Sequence, residues 1–243
     1  MKKVYLDNAS TTAMRPEVIQ VMVDCMAQDY GNPSSTHSLG RHAKSILELS
    51  RKSIAKALNA TAQEILFTSG GTEANNWILR SAVKDLKVRR IISSKMEHHA
   101  VLYPILELQK EFDIQVEYVE NSADGVLDLT HLVDLLSEST EKTLVSLMHV
   151  NNETGVILDL ERVSQICQEH HALFHSDTVQ SVGKAILDLQ KVPIDFIVSS
   201  AHKFHGPKGV GFAFIRKNSG LQPLFFGGEQ EKGLRAGTES IHN

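Results

Sequence analysis

The sequence predicts an α/β fold in which helices sandwich a mainly parallel β-sheet. Short apolar segments alternate along the chain with longer amphipathic ones, a pattern typical of a parallel sheet that is covered on both faces. Polar side chains follow several of the apolar segments directly, which is where an open α/β sheet binds its ligands. With 243 residues, 42% of them hydrophobic, the chain is long enough to bury a substantial core.

The first part of the chain predicts two helices and no strand. Apolar residues recur at helical spacing over Glu17–Met26, and Pro16 suits the first turn of that helix. After a loop rich in Gly, Pro and Ser, the same spacing over residues 39–59 predicts a longer helix. The expected apolar face of the first helix consists of Val18, Val21, Met22, Cys25 and Met26.

From residue 65 onward, the predicted strands and helices alternate. The strands are Ile65–Thr68, Arg90–Ser93, Ile114–Val119, Thr143–Met148, Ala172–Ser176, Phe196–Ser199 and Gly211–Ile215. The helices between them are Glu73–Lys87, His99–Phe112, Leu129–Leu136 and Asp159–Glu169. Polar groups follow five of the strands, at Ser69–Thr72, Glu97–His99, Asn151–Glu153, Asp177–Gln180 and Ser200–Lys203. Their convergence at one edge of the sheet predicts an enzyme site.

A glycine turn, Gly70-Gly71-Thr72, opens one predicted helix. Free backbone N–H groups and the helix dipole would favour an anion there, although an ordinary strand-to-helix turn fits the same residues. Asp177 ends a buried strand, where a carboxylate could bind a metal, act as a base, hold a protonated heterocycle or cap a helix. Lys203 follows another buried strand and is a candidate Schiff-base amine rather than a surface lysine.

One cofactor, pyridoxal phosphate (PLP), needs all of these parts. Its phosphate suits a helix N-terminus, its aldehyde needs a lysine, and its protonated ring nitrogen needs a carboxylate. Gln180 could donate a hydrogen bond to the phenolic oxygen, and the imidazole of His98 could cover the ring. A metal site would explain the aspartate and the histidines but not the lysine or the glycine turn.

At these residues the sequence resembles cysteine desulfurases of the NifS/IscS family, which are class V aminotransferase-like PLP enzymes of fold type I. The matching segments are Tyr5–Thr12, Gly31–His37, Thr68–Glu73, Glu97–Val101, His149–Gly155, Asp177–Gly183, Ser200–Lys203 and Arg235–Thr238. The resemblance implies an N-terminal arm over residues 1–15 and a PLP-binding large domain over residues 16–243. It also implies that the small C-terminal domain of the family is absent from this chain.

The resemblance implies a role for each residue around the cofactor's phosphate and aldehyde. Lys203 would bond covalently to the cofactor and act as a catalytic base. Gly71 and Thr72 would hold the phosphate, with help from Ser200 and His202.

Further roles concern the cofactor's ring and the substrate. Asp177 would pair with the ring nitrogen, and Gln180 would bond the ring hydroxyl. His98 would stack on the ring and move protons as a second catalytic residue. Asn152 would lie beside both cofactor and substrate, and Asn8 would line the substrate site.

The activity implied by the resemblance is conversion of L-cysteine to L-alanine, with the sulfur passed as an enzyme persulfide to an acceptor protein. The family works as a homodimer, in which Thr238 would reach the phosphate in the partner subunit. The family's nucleophilic cysteine, and the arginine that grips the substrate carboxylate, lie beyond the end of this sequence. Two alternatives stay open: another class V enzyme such as a selenocysteine lyase, and a non-catalytic PLP-binding or dimerisation fragment.

Composition excludes several other classes. A net charge of -4 and the lack of a basic run argue against nucleic-acid binding. No apolar stretch approaches the ~18 residues that a membrane span needs. The two cysteines, Cys25 and Cys167, predict a cytoplasmic protein and are expected to be structural. The adjacent histidine pairs are poor chelators on a strand, so no metal site is expected.

Overall fold

A computed structural model describes residues 3–243. Met1 and Lys2, the first residues of the expected N-terminal arm, lie outside the described residues. The helices are α1 (Pro16–Gln28), α2 (Ser38–Ala57), α3 (Gly71–Lys84), α4 (His99–Phe112), α5 (Leu129–Ser137) and α6 (Leu160–Glu169). The strands are β1 (Ile65–Thr68), β2 (Arg90–Ser93), β3 (Gln115–Tyr118), β4 (Thr143–Ser146), β5 (Leu173–Asp177), β6 (Phe196–Ser200) and β7 (Gly211–Ile215). The predicted elements are confirmed, with ends that differ by at most three residues.

The strands form one sheet in the order β1-β7-β6-β5-β4-β2-β3. Strand β7 is antiparallel to both of its neighbours, and every other neighbouring pair is parallel. The connection between β6 and β7 is too short to hold the helical crossover that a parallel pair needs. The carboxyl ends of β1, β2, β4, β5 and β6 therefore meet at one edge, where β7 begins.

Helices cover both faces of the sheet, as predicted. On one face, α3 and α4 pack over a core that includes Trp77, Ile91 and Val198. On the other, α2, α5 and α6 enclose a second core around Val145 and Phe174. Among the described residues, no helix is both long enough and apolar enough to cross a membrane.

Helix α1 lies outside these two layers, and its predicted apolar face is only partly buried. Cys25 is buried, and its thiol donates a hydrogen bond to the carbonyl of Ile241. Val21 and Met26, which were expected on the same apolar face, are 67% and 54% exposed. Spacing predicts the helix correctly but does not show which residues have a neighbouring surface to contact.

A buried ion pair closes the free edge of β1. Arg51 on α2 bonds the carboxylate of Glu231 through two nitrogens, at 2.6 and 2.8 Å, and both side chains are 2% exposed. Arg51 also donates to the carbonyl of Ile65 at 2.8 Å, and Glu231 accepts the Phe67 N–H at 2.8 Å. The pair thus supplies the donor and the acceptor that an adjacent strand would supply.

Replacing one partner of this ion pair should destabilise the fold strongly. Arg51→Ala leaves the Glu231 carboxylate buried without its counterion, so we expect the free energy of unfolding to fall by about 3–5 kcal/mol. Urea denaturation measures this change. The exposed pair Lys110–Glu107 provides the control, because Lys110→Ala should have a much smaller effect. Equal losses in the two variants would contradict the role assigned to Arg51.

Candidate functional site

A cavity of about 170 Å³ opens at the edge where the parallel strands end. All the predicted site residues except Asn8 and Thr238 line it, so the structure brings together groups from five strand ends. Asn75 and Met148 also line it, and the sequence analysis did not identify them. The cavity contains an amine, a carboxylate, an imidazole and a helix N-terminus within one enclosure.

The glycine turn after β1 places the start of α3 at this cavity. Gly70 precedes the helix with φ of 149°, a conformation that side chains rarely adopt. A Cβ atom on Gly71 would lie 2.6 Å from the Val179 side chain, so glycine allows α3 to approach the loop after β5. Within the described chain, the backbone N–H groups of Gly71 and Thr72 have no partner, which leaves them available to an anion.

Asp177 forms the floor of the cavity at the end of β5 and is 6% exposed. One carboxylate oxygen accepts a hydrogen bond from Asn75 Nδ2 at 2.8 Å, and the other accepts the Val179 N–H at 3.0 Å. Burial raises the pKa of Asp177, while these bonds and the nearby His98 and Lys203 oppose the rise. The carboxylate is therefore held rigidly and would gain from a cationic partner.

Lys203 lies in a short 3-10 turn, Ala201–Lys203, directly after β6. Its Nζ donates to the carbonyl of Ala9, and Gln180 Nε2 donates to the same oxygen at 2.7 Å. The carbonyl of Ala9 thus joins the two side chains. Burial lowers the pKa of Lys203, and the positive charge of Lys184 lowers it further.

Two histidines border the cavity. His98 caps the N-terminus of α4, where its Nδ1 accepts the Ala100 N–H at 3.0 Å, so the other ring nitrogen is not used by the cap. His202 Nδ1 lies 3.1 Å from the hydroxyl of Thr11, and burial lowers the pKa of its imidazole. Each ring is thereby oriented by a bond to its neighbours.

Of the remaining predicted residues, Ser200 ends β6 and is buried, and Asn152 is half-buried beside Glu153. Asn8 lies in an exposed turn next to Ala9 and does not line the cavity. Thr238 lines a separate cavity of about 250 Å³. Its predicted role at a partner's cofactor stays a prediction, because it concerns a second subunit.

Asn75 could have been found from helical spacing. It lies four residues after Gly71, so both residues share the face of α3 that meets the carboxyl edge of the sheet. Asn75 is fully buried, and its side-chain amide donates a hydrogen bond to Asp177. Residue type alone did not distinguish it from Asn76, which is half-buried.

The donor set of this cavity fits pyridoxal phosphate. A lysine of lowered pKa, a buried carboxylate with both oxygens anchored and a free helix N-terminus are the three groups that this cofactor requires. Among residues 3–243, no group of three or more His, Cys, Asp or Glu side chains could hold a metal ion.

Comparison with known proteins gives consistent matches over the whole chain. Residues 4–242 match the family described as Aminotransferase class-V. The "Cysteine desulfurase IscS" of Dictyoglomus turgidum is 43% identical over 242 residues, which are 99% of this chain and 61% of that protein. The chain thus spans about three fifths of the length of this curated relative.

Solved structures agree with the sequence matches. A structure described as "NIFS-LIKE PROTEIN" has a TM-score of 0.95 and 40% identity, over 99% of this chain and 66% of that chain. Another, "SspA in complex with cysteine", has a TM-score of 0.93 and 32% identity, over 99% of this chain and 70% of that chain. This chain is therefore similar to cysteine desulfurases and NifS-like proteins in both sequence and fold.

Replacing Asn75 should weaken the hold on Asp177. Asn75→Ala removes one of the two hydrogen bonds to the carboxylate, so it should raise the pKa of Asp177 further and lower the free energy of unfolding by about 1–3 kcal/mol. Urea denaturation at neutral pH measures the loss. Asn76→Ala is the matched control, because that side chain is half-buried and donates to the Thr72 carbonyl of its own helix. The role of Asn75 would be refuted if the two variants lost the same stability.

Proposed function

The chain belongs to the aminotransferase class-V family, and we propose that it binds pyridoxal phosphate and serves a cysteine desulfurase reaction. In that reaction L-cysteine becomes L-alanine, and the sulfur passes as an enzyme persulfide to an acceptor protein. The observation that carries the proposal is the single cavity that holds Lys203, Asp177 and the free N-terminus of α3. Cysteine desulfurases of this family depend on the same cofactor.

Each part of the cofactor would have a partner in the cavity. The N-terminus of α3, at Gly71 and Thr72, would hold the phosphate together with Ser200 and His202. Lys203 would hold the aldehyde carbon through its amine. These five residues come from the ends of β1 and β6, which lie on either side of β7.

The ring would lie against the remaining residues. Asp177 would pair with the ring nitrogen, Gln180 would donate to the ring hydroxyl, and His98 would cover one face. Asn152 would lie beside the ring and the substrate. Asn8 lies outside the cavity, in the proposed N-terminal arm, so its contact with the substrate would depend on the position of that arm.

The electrostatics of Asp177 and Lys203 suit these tasks. When bound, the cofactor supplies an electron sink for the substrate's α-carbon, provided that its ring nitrogen keeps a proton. An ionised Asp177 would stabilise that positive charge, which would in turn lower the raised pKa of the carboxyl. The lowered pKa of Lys203 increases the fraction of neutral amine, the form that can take a proton from the α-carbon.

L-Cysteine is the proposed substrate because the chain is similar both to cysteine desulfurases and to a protein whose structure contains cysteine. Neither described cysteine fits the role of the sulfur nucleophile. Cys25 is 7% and Cys167 1% exposed, and burial raises the pKa of both thiols. We therefore assign the persulfide to neither of them.

The oligomeric state, the domain division and the cellular location are part of the same proposal. A homodimer would bring Thr238 to the partner's phosphate, and the division into an arm, residues 1–15, and a large domain, residues 16–243, follows the same family pattern. The acceptor protein and the cytoplasmic location are supported by the similarity to the IscS relatives.

Cofactor binding can be tested directly by absorbance. Adding pyridoxal phosphate to the purified chain should give a yellow absorption band that Lys203→Ala abolishes, because Lys203 is the one lysine of residues 3–243 that lines the cavity. Lys208→Ala is the control, since this lysine is exposed in the same connection between β6 and β7 and its replacement should leave the band intact. A folded wild-type chain without the band, or a Lys203→Ala variant that keeps it, would refute the cofactor proposal.

The substrate is tested on the same loaded protein. L-Cysteine should change the absorption band, and D-cysteine should not. Alanine should form only when an added thiol is present to take the sulfur as a persulfide, because neither described cysteine fits as the nucleophile. A band that no amino acid alters would restrict the function to cofactor binding. Alanine formed from L-selenocysteine but not from L-cysteine would indicate a selenocysteine lyase instead.

A further inference from the structure

Glu97 is a buried carboxyl group to which the proposed function gives no role. It lies in the turn between β2 and α4, one residue before His98, and is 5% exposed. Its Oε1 accepts hydrogen bonds from the Met148 N–H at 2.8 Å and from the Ser94 hydroxyl at 3.0 Å. This oxygen therefore ties the turn that carries His98 to the chain that follows β4.

The other oxygen of Glu97 has no hydrogen-bond partner among the described residues. An ionised carboxylate in that position would leave a buried charge without compensation, which is far more costly than a buried neutral acid. Within residues 3–243, no Lys, Arg or His forms an ion pair with it. The geometry of the site thus favours the protonated form.

Among the described residues, no cation is among the groups that shift the pKa of Glu97. Asp177 on β5 is the charged group that acts on it, and it has the same sign. His149 follows β4, and burial lowers the pKa of its imidazole, which keeps it neutral. Asp159, the N-cap of α6, lines the same small cavity as Glu97. Burial, reinforced by Asp177, raises the pKa of Glu97 to about 8.

Asp177 is the better site for the negative charge. Both of its oxygens accept hydrogen bonds, whereas only one oxygen of Glu97 does. His98 and Lys203 also oppose the rise in the pKa of Asp177, and neither is among the groups that shift the pKa of Glu97. When two buried carboxyl groups repel each other, the proton stays on the group with less stabilisation as an anion.

We propose that Glu97 is a positioning residue that keeps its proton at neutral pH, holds the turn before His98 against the end of β4, and leaves Asp177 as the negative charge of the site. The inference rests on the proposed function, since His98, whose turn Glu97 holds, and Asp177, whose charge it leaves in place, are the proposed cofactor residues. The proton itself can be measured on the cofactor-free protein, so the two proposals can fail separately.

Infrared difference spectroscopy of the cofactor-free chain tests whether Glu97 is protonated. At neutral pH the wild type should show the carbonyl stretch of a buried carboxylic acid, and Glu97→Gln should remove it. Glu64→Gln is the matched control. Glu64 is also 5% exposed, but although burial raises its pKa, hydrogen bonds from Thr61 and Lys217 and the charge of Arg216 lower it overall, so its replacement should leave the band unchanged. Loss of the band in Asp177→Asn rather than in Glu97→Gln would overturn the assignment.

The pH dependence of stability gives a second readout. In the unfolded chain the Glu97 carboxyl has its ordinary pKa of about 4.3. Burial raises this pKa to about 8 in the folded chain. Between these values the folded state binds one more proton, so this group makes the wild type less stable as the pH rises. The melting temperature of Glu97→Gln relative to wild type should therefore increase from about pH 5 to about pH 8. A difference that is constant with pH would overturn the proposal.

The positioning role is tested by comparing two variants. Glu97→Gln keeps an oxygen for Met148 and Ser94 and should bind pyridoxal phosphate within about twofold of wild type, whereas Glu97→Ala should lose about tenfold in affinity. Equal affinities of the two variants would refute the positioning role. If Glu97→Gln removes the infrared band but the chain never binds the cofactor, the proposed function is refuted. The assignment of the proton to Glu97 would still hold.

Discussion

The common direction of β1, β2, β4, β5 and β6 is the constraint on which the candidate site depends. Parallel strands deliver their carboxyl ends to one edge of a sheet, and the turns that follow them are free to carry polar residues. Residues far apart in sequence, such as Gly71 and Lys203, thereby line the same cavity. The two apolar cores keep the sheet rigid, so the geometry of the cavity is determined by the fold rather than by its loops alone.

Buried charge is handled in two different ways in this molecule. Arg51 and Glu231 neutralise each other at the edge of β1, where they also satisfy backbone groups of the strand. At the site, by contrast, Asp177 is buried and Lys203 half-buried with less compensation, and their pKa values are shifted as a result. A cofactor with an anionic group, a reactive carbonyl and a cationic ring would provide the charges that these groups lack.

Much of the fold and most of the candidate site could be predicted from the sequence, because both depend on short-range pattern. Strand ends and the polar groups after them can be recognised in the amino-acid sequence, which is why Asp177 and Lys203 were identified. Asn75 was missed because its role depends on which face of α3 meets β5. The exposure of Val21 on α1 and the proton on Glu97 depend on the three-dimensional surroundings, which spacing does not describe.

The central claim is that one amine, that of Lys203, holds pyridoxal phosphate in this cavity. Borohydride reduction of the protein after incubation with the cofactor would make that linkage permanent, and peptide mass mapping would then locate it. We expect a single modified peptide, with the modification on Lys203. Modification of Lys184 or Lys208 with Lys203 intact, or modification spread over surface lysines, would contradict the account.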